Sequence, residues 1–89
     1  MRAIVTVIGK DQVGIIAEVC SLLAKYNVNV LDISQTILQE YFTMIMLVNT
    51  EGGTVSFSDL AKKLEEAGEK RSLSIRIQRE DIFEAMHRI

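Results

Sequence analysis

Hydrophobic residues in the first third of the chain change from the spacing of a β-strand to the spacing of an α-helix. Residues 2–8 are rich in β-branched side chains and end at Gly9, which predicts a strand. Over residues 13–26 the apolar positions recur three and four residues apart, which predicts an amphipathic helix. These positions are Ile15, Val19, Leu22 and Tyr26.

Two further strand-like runs occupy residues 28–38 and 41–48. Val, Ile and Thr recur in both runs, and these residues are favoured in sheets. The only residues between the runs are the polar pair Gln39 and Glu40. We therefore expect the two strands to form a hairpin with a short turn.

The second half of the chain shows the same two kinds of pattern. A Ser-x-x-Asp capping box beginning at Ser56 predicts the start of a second helix, and Gly68 predicts its end. Residues 72–78 alternate between apolar and polar, which predicts a half-buried strand. Residues 81–89 predict a short C-terminal helix, with Asp81 as its N-cap.

The order strand, helix, strand, strand, helix, strand is typical of the ferredoxin-like βαββαβ sandwich. We therefore predict an α+β fold: a four-stranded antiparallel sheet with two helices on one face, followed by a short C-terminal helix. The first and third strands are expected at the centre of the sheet. A chain of 89 residues fits a single domain, 1–89, with a core over 1–80 and a helical tail over 81–89.

The strands at 2–8 and 41–48 are apolar on both faces, unlike the alternating strand at 72–78. Two helices cover only one face of such a sheet, and a second face in water would be polar. A further layer is therefore expected there, either the C-terminal helix or a second subunit. Since a chain this short also gains stability from a partner's surface, we predict a homodimer or a higher homo-oligomer.

Charge and composition exclude several classes of protein. The formal net charge is −2 with a pI of about 5.3, which does not give the basic surface that nucleic-acid binding requires. No apolar run approaches the roughly 20 residues of a membrane span. Cys20 is the single cysteine, which favours a reducing, cytoplasmic setting. His87 is the single histidine, so we expect no metal site and no cofactor.

Residues 9–16 link the first strand to the first helix and carry the candidate chemistry. The start of a helix presents free backbone N–H groups, which hold a carboxylate together with the helix dipole. Gly14 lets a ligand approach, and Asp11 can accept a hydrogen bond from an ammonium group. An amino acid carries both charges and fits this arrangement. The structural alternative is that Asp11 is only an N-cap and Gly14 only a packing position.

Three segments together resemble the signature of the ACT domain family. They are Gly9-Lys10-Asp11-Gln12-Val13-Gly14-Ile15-Ile16-Ala17, Leu22-Leu23-Ala24 and Asn27-Val28-Asn29-Val30-Leu31-Asp32. The family pattern is a strand, Asp-x-x-Gly-(Ile/Leu), a helix, and Asn-x-Asn-(Ile/Val) at the second strand. The resemblance covers nearly all of residues 1–80 and is closest to the ACT domains of the glycine cleavage system repressor and of formyltetrahydrofolate deformylase. In length the chain is similar to free-standing bacterial or archaeal ACT proteins. Val13 stands where many members have proline, so the loop is less rigid here.

The resemblance implies a regulatory module that binds a small molecule, often an amino acid, and that pairs side by side or face to face. A homodimer is implied, and a metabolic enzyme or regulator can be a further partner. The ligand then lies at a subunit interface, between the loop of one copy and the second strand of the other. By position, the resemblance assigns ligand contacts to Asp11, Gln12, Val13, Gly14 and Ile15 in the loop, and to Asn29, Val30 and Leu31 in the second strand. The Asn29 amide can bond a ligand carboxylate, and its structural alternative is a turn residue.

Other functions of the same architecture lack their residues here. The pattern of acylphosphatases has an arginine in the first helix. Residues 9–26 of this chain contain no arginine, and their only cationic side chains are Lys10 and Lys25. No Ser/His/Asp set is present, so we expect no enzyme. RNA-recognition motifs stack bases on aromatic residues of the central strands, and residues 2–8 contain none. The main alternative is a protein-interaction or oligomerisation module without a ligand, followed by an acylphosphatase-like enzyme.

Overall fold

The structure is a computed structural model and describes residues 1–82. Its elements are β1 (Arg2–Lys10), α1 (Ile15–Lys25), β2 (Asn29–Leu38), β3 (Tyr41–Asn49), α2 (Phe57–Lys70) and β4 (Ser74–Arg79). The strands lie in the order β2-β3-β1-β4 and all pairings are antiparallel. Strands β1 and β3 are therefore central, and the predicted ferredoxin-like α+β fold is confirmed.

One face of the sheet is buried against the two helices. Alternate residues of the strands share a single core with the apolar sides of α1 and α2. This core contains Ala3, Val5 and Val7 of β1, Phe42, Met44, Met46 and Val48 of β3, Ile75 and Ile77 of β4, Ile15, Val19 and Leu23 of α1, and Leu60 and Leu64 of α2. The side-chain period of two explains why one face of each strand supplies the core.

The intervening residues of the central strands form the other side of the sheet, called the open face below. They are Ile4, Thr6 and Ile8 of β1 and Tyr41, Thr43, Ile45 and Leu47 of β3. Ile8, Tyr41 and Ile45 are 49%, 52% and 41% exposed. Within residues 1–82, no second layer covers this face.

The hairpin between β2 and β3 turns at Gln39 and Glu40, as predicted. Leu38 pairs with Tyr41, so the turn is as short as the sequence allows. Gln39 reaches this geometry with a φ of 56°, in the left-handed region. From this turn the register between β2 and β3 is continuous back to Asp32, and it shifts between Asp32 and Val30.

Helix α2 starts and ends by different means. The Ser56 hydroxyl accepts a hydrogen bond from the Asp59 N–H at 3.2 Å, so the predicted N-cap is confirmed. The predicted end at Gly68 is wrong, because the helix continues to Lys70 and Arg71 is its C-cap. Gly68 is needed for a close approach instead, since a Cβ there would lie 2.6 Å from the carbonyl oxygen of Leu73.

The chain becomes helical again at residues 80–82. Because this helical segment begins at Glu80, the prediction that Asp81 is its N-cap is wrong. The Asp81 carboxylate accepts a hydrogen bond from the Ile82 N–H at 2.9 Å. The rest of the predicted tail helix, with His87, lies outside the described residues.

Candidate functional site

The loop between β1 and α1, residues 11–14, is held by two remote parts of the chain. The Asp11 N–H donates to the carbonyl oxygen of Glu40 in the hairpin turn, with an N···O distance of 2.7 Å. The Gln12 side-chain amide donates to the carbonyl oxygen of Arg71 at 3.1 Å. These contacts join segments that are distant in sequence, so the shape of the loop depends on the whole fold.

Gly14 closes the loop and is the N-cap of α1. Its φ of 88° lies in the left-handed region, which glycine adopts without the strain of a Cβ. No side chain caps this helix, so the alternative in which Asp11 is the N-cap is wrong. The N–H groups of Ile15, Ile16 and Ala17 have no partner within the helix and can donate hydrogen bonds to an anion.

A cleft of about 230 Å³, called the loop cleft below, opens between this loop, the start of α1 and strand β2. It is lined by Asp11, Gln12, Gly14, Ile15, Ile16 and Ala17 of the loop and helix, Gln35 and Ile37 of β2, and Phe42 of β3. Most of these side chains are apolar, and a few polar groups lie at the edge. That composition is typical of small-molecule sites, and the volume is below the roughly 300–1,000 Å³ of drug-sized pockets. The loop cleft therefore suits a small metabolite.

Three consecutive loop residues have different surroundings. The Asp11 carboxylate makes no hydrogen bond or ion pair with any of residues 1–82. Both polar atoms of the Gln12 amide are used by Arg71, since its Oε1 accepts from Nη1 at 3.4 Å. Val13 is 97% exposed and lies outside the cleft lining. Asp11 is therefore the charged group that the loop offers to a ligand.

The structure brings together only part of the predicted ligand-binding set. Asp11, Gln12, Gly14 and Ile15 line the loop cleft. The β2 residues Asn29, Val30 and Leu31 lie at the far end of that strand, where Asn29 pairs with Asn49. In a single copy of the chain they do not contact the cleft.

The sequence did not predict the residues that form the wall of the cleft, Gln35 and Ile37, or its floor, Phe42. Gln35 and Ile37 of β2 and Phe42 of β3 are far from the loop in sequence but beside it in space. A usable signal was present, because a two-residue hairpin turn places Ile37 opposite Phe42. The antiparallel register then pairs Phe42 with Gly9, two residues before the loop.

A larger groove of about 430 Å³ lies between α2 and the edge strand β4. Its charged residues are Glu65 and Glu69 of α2 and Arg76 of β4, and it contains none of the predicted site residues. The described part of the chain has no group of three or more His, Cys, Asp or Glu side chains that could hold a metal ion. Among the helices of residues 1–82, none is long and apolar enough to cross a membrane.

Comparison with known proteins identifies the family. A model of the ACT domain matches residues 2–78. A UPF0237 protein of Clostridium acetobutylicum is 57% identical, over 100% of both chains. A UPF0237 protein of Methanocaldococcus jannaschii is 50% identical, over 99% of this chain and 98% of that protein. The chain belongs to the ACT domain family, whose members are generally small-molecule regulatory modules.

Solved structures agree with this assignment. An ACT domain protein from Streptococcus pneumoniae superposes with a TM-score of 0.82 at 43% identity, covering 94% of each chain. A putative glycine cleavage system transcriptional repressor superposes with a TM-score of 0.71 at 24% identity, covering 86% of this chain and 44% of that one. A formyltetrahydrofolate deformylase from Burkholderia mallei superposes with a TM-score of 0.78 at 15% identity, covering 88% of this chain and 28% of that one. The last two similarities concern the fold alone. The resemblance to the ACT domain family predicted from the sequence is confirmed.

Proposed function

We propose that the chain is a regulatory module that binds an amino acid in the loop cleft and acts as a homo-oligomer. One observation carries this: Asp11, whose carboxylate is unpaired, lines the same cleft as the first residues of α1, whose N–H groups have no partner in the helix, and as the apolar Ile37 and Phe42. Asp11 accepts from the ammonium group of the ligand, and the helix N-terminus binds its carboxylate. The ligand side chain packs against Ile37 and Phe42.

Self-association through the edge of β2 explains how further residues reach the ligand. The ten residues of β2 include one charged side chain, Asp32, and its Ile33, Ile37 and Leu38 are 39%, 55% and 71% exposed. Edge strands that stay unpaired are usually short or charged. A partner strand beside β2 would border the loop cleft and bring Asn29, Val30 and Leu31 of a second copy towards it.

The open face offers a second surface for a partner copy. Its exposed side chains at the centre are apolar or uncharged, as at Ile8, Tyr41 and Ile45, and the charged Asp32 and Arg76 lie on the same side in the edge strands. Contiguous apolar surface of this kind marks association sites in small proteins. Pairing along β2 with packing of open faces would give an oligomer larger than a dimer.

The ligand is identified by thermal melting of the protein with each of the twenty amino acids at several millimolar. An amino acid at about 100 times its Kd should add about 2.7 kcal/mol to the free energy of unfolding. We expect one chemical class of amino acid to raise the Tm and Asp11→Asn to abolish that rise. Glu66→Gln, which removes one negative charge from an exposed position of α2, is the matched control and should leave the rise intact.

The oligomeric surfaces are separated by two variants that place a lysine on one surface each. Ile33→Lys charges the β2 edge and Ile45→Lys charges the open face. Ser21→Lys adds the same charge on the exposed side of α1 and is the control. We expect light scattering to give a multimer for wild type and control and a smaller species for at least one surface variant. A monomeric wild type at tens of micromolar would contradict this part of the proposal.

The alternative function is an interaction module that has no ligand. This alternative is supported by Val13, an apolar loop residue that is 97% exposed. A metabolic enzyme or regulator in the cytoplasm is then the expected partner. An acylphosphatase-like activity is less favoured: Arg71 reaches the loop, but it is paired with Glu18 and lies outside the cleft lining.

A further inference from the structure

Arg71 contacts the loop but does not belong to the lining of the loop cleft. It is the C-cap residue of α2, and its own N–H donates to the carbonyl oxygen of Gly68 at 3.0 Å. The backbone of Arg71 is therefore fixed by the helix end. Its side chain is about one third exposed and extends to the β1–α1 loop.

The Arg71 guanidinium bonds the loop at several points. Nη1 donates to the carbonyl oxygen of Val13 at 3.0 Å and to Gln12 Oε1 at 3.4 Å. The Gln12 amide donates in return to the Arg71 carbonyl oxygen at 3.1 Å. Nε forms an ion pair with the Glu18 carboxylate in the first turn of α1. One planar group thus joins the end of α2, the loop and the start of α1.

The guanidinium also lies over Gly14. A Cβ built on Gly14 would be 3.6 Å from Nη2 of Arg71, which is an ordinary contact distance. Gly14 is at the corner between loop and helix, so Arg71 packs against this corner. Arg71 is absent from the lining of the loop cleft.

We propose that Arg71 is a positioning residue: it fixes the conformation of the loop so that Asp11 and the first N–H groups of α1 face the loop cleft. Gln12, whose two amide atoms are both bonded to Arg71, belongs to the same unit and helps to orient the loop. An arginine suits this task because its rigid fork can serve a carbonyl, an amide and a carboxylate at once. The assignment rests on the proposed function for its ligand, but the effect on the loop can be measured without one.

The test measures amide hydrogen exchange and ligand affinity in Arg71→Gln, Arg71→Lys and Arg79→Gln. Two hydrogen-bonded amides report on the loop: Asp11, bonded to Glu40, and Glu18, bonded to Gly14. Arg71→Gln should speed their exchange about tenfold, the scale of one lost hydrogen bond to a charged group. Arg71→Lys keeps the charge without the fork and should show a smaller increase. Arg79→Gln removes a guanidinium paired with Asp81 and is the matched control, with no change expected.

Affinity distinguishes positioning from general support of the fold. We expect Arg71→Gln to raise the Kd about tenfold for the amino acid that increases the wild-type Tm, in proportion to the faster exchange. Unchanged exchange at Asp11 and Glu18 would overturn the assignment, and so would an equal increase throughout the core strands. Faster exchange with unchanged affinity would also overturn it. If wild type binds no amino acid, the proposed function fails, and the exchange data alone decide whether Arg71 fixes the loop.

Discussion

The loop cleft and the groove between α2 and β4 differ more in their surroundings than in their size. The groove is the larger, at about 430 Å³ against about 230 Å³. Its charges, Glu65, Glu69 and Arg76, are on the exposed face of a helix and an edge strand. The loop cleft instead combines an unpaired carboxylate, free backbone N–H groups and a buried aromatic floor. We therefore expect the ligand in the loop cleft and not in the larger groove, because small-molecule sites combine apolar side chains with a few convergent polar groups.

The largest effect on stability is expected at the floor of the loop cleft, where Phe42 is also part of the core. Phe42 is 3% exposed and belongs to the core, so Phe42→Ala should lower the free energy of unfolding by about 3–5 kcal/mol. Ile37, its partner across the hairpin, is 55% exposed, and Ile37→Ala should cost clearly less. Urea denaturation of both variants checks this. Equal losses would show that the floor and the wall of the cleft are not distinct.

A smaller effect is expected where the loop meets the helix. Gly14→Ala places a Cβ at a φ of 88° and should lower the free energy of unfolding by about 1–2 kcal/mol. Gly52→Ala is the control, because Gly52 has a φ of 84° in a loop away from the cleft. We expect similar losses in chemical denaturation but weaker ligand binding only for Gly14→Ala. Equal binding by the two variants would contradict the role of this corner.

The apolar wall formed by Ile37 should affect ligand affinity more than it affects stability. Ile37→Ser removes apolar contact with the ligand side chain and should raise the Kd about tenfold, near the lower end of what burying a large aliphatic side chain contributes. Ile82→Ser is the control, since Ile82 is 47% exposed and outside both regions. Calorimetric titration measures both. A Kd for Ile37→Ser within twofold of the wild-type value would show that β2 does not contact the ligand.

The smallest effects are expected in the groove. Glu65→Gln and Glu69→Gln change exposed side chains and should alter the free energy of unfolding by at most about 0.5 kcal/mol. Neither variant should change the Kd of the ligand. Weakened binding in either one would reverse the comparison and make the larger region the site.

The fold was predictable because its signals are periodic and local. The β-branched run of β1, the alternation in β4, the helical spacing in α1 and the cap at Ser56 each depend on neighbouring residues. The helix end misplaced at Gly68 shows the limit. Gly68 has the residue type of a helix stop, yet the close approach of the Leu73 carbonyl oxygen explains it, and the residue type alone does not distinguish these two roles.

The candidate site was predictable only where it is continuous in sequence. Asp11 and Gly14 are neighbours in the chain and follow a strand, so their chemistry could be inferred directly. Ile37 reaches the cleft through the hairpin register, which requires the turn geometry. Arg71 is separated from Gln12 by 59 positions, and nothing in its local sequence distinguishes it from Lys70 beside it.

Chemical-shift mapping tests the central claim most directly. The ¹⁵N-labelled protein is titrated with the amino acid that gives the largest rise in Tm, and the backbone amide shifts are followed. The account predicts that the largest changes fall on residues 11–17 and on Gln35 and Ile37. Changes centred on Glu65, Glu69 and Ser74 in the groove, or no change with any amino acid, would contradict it.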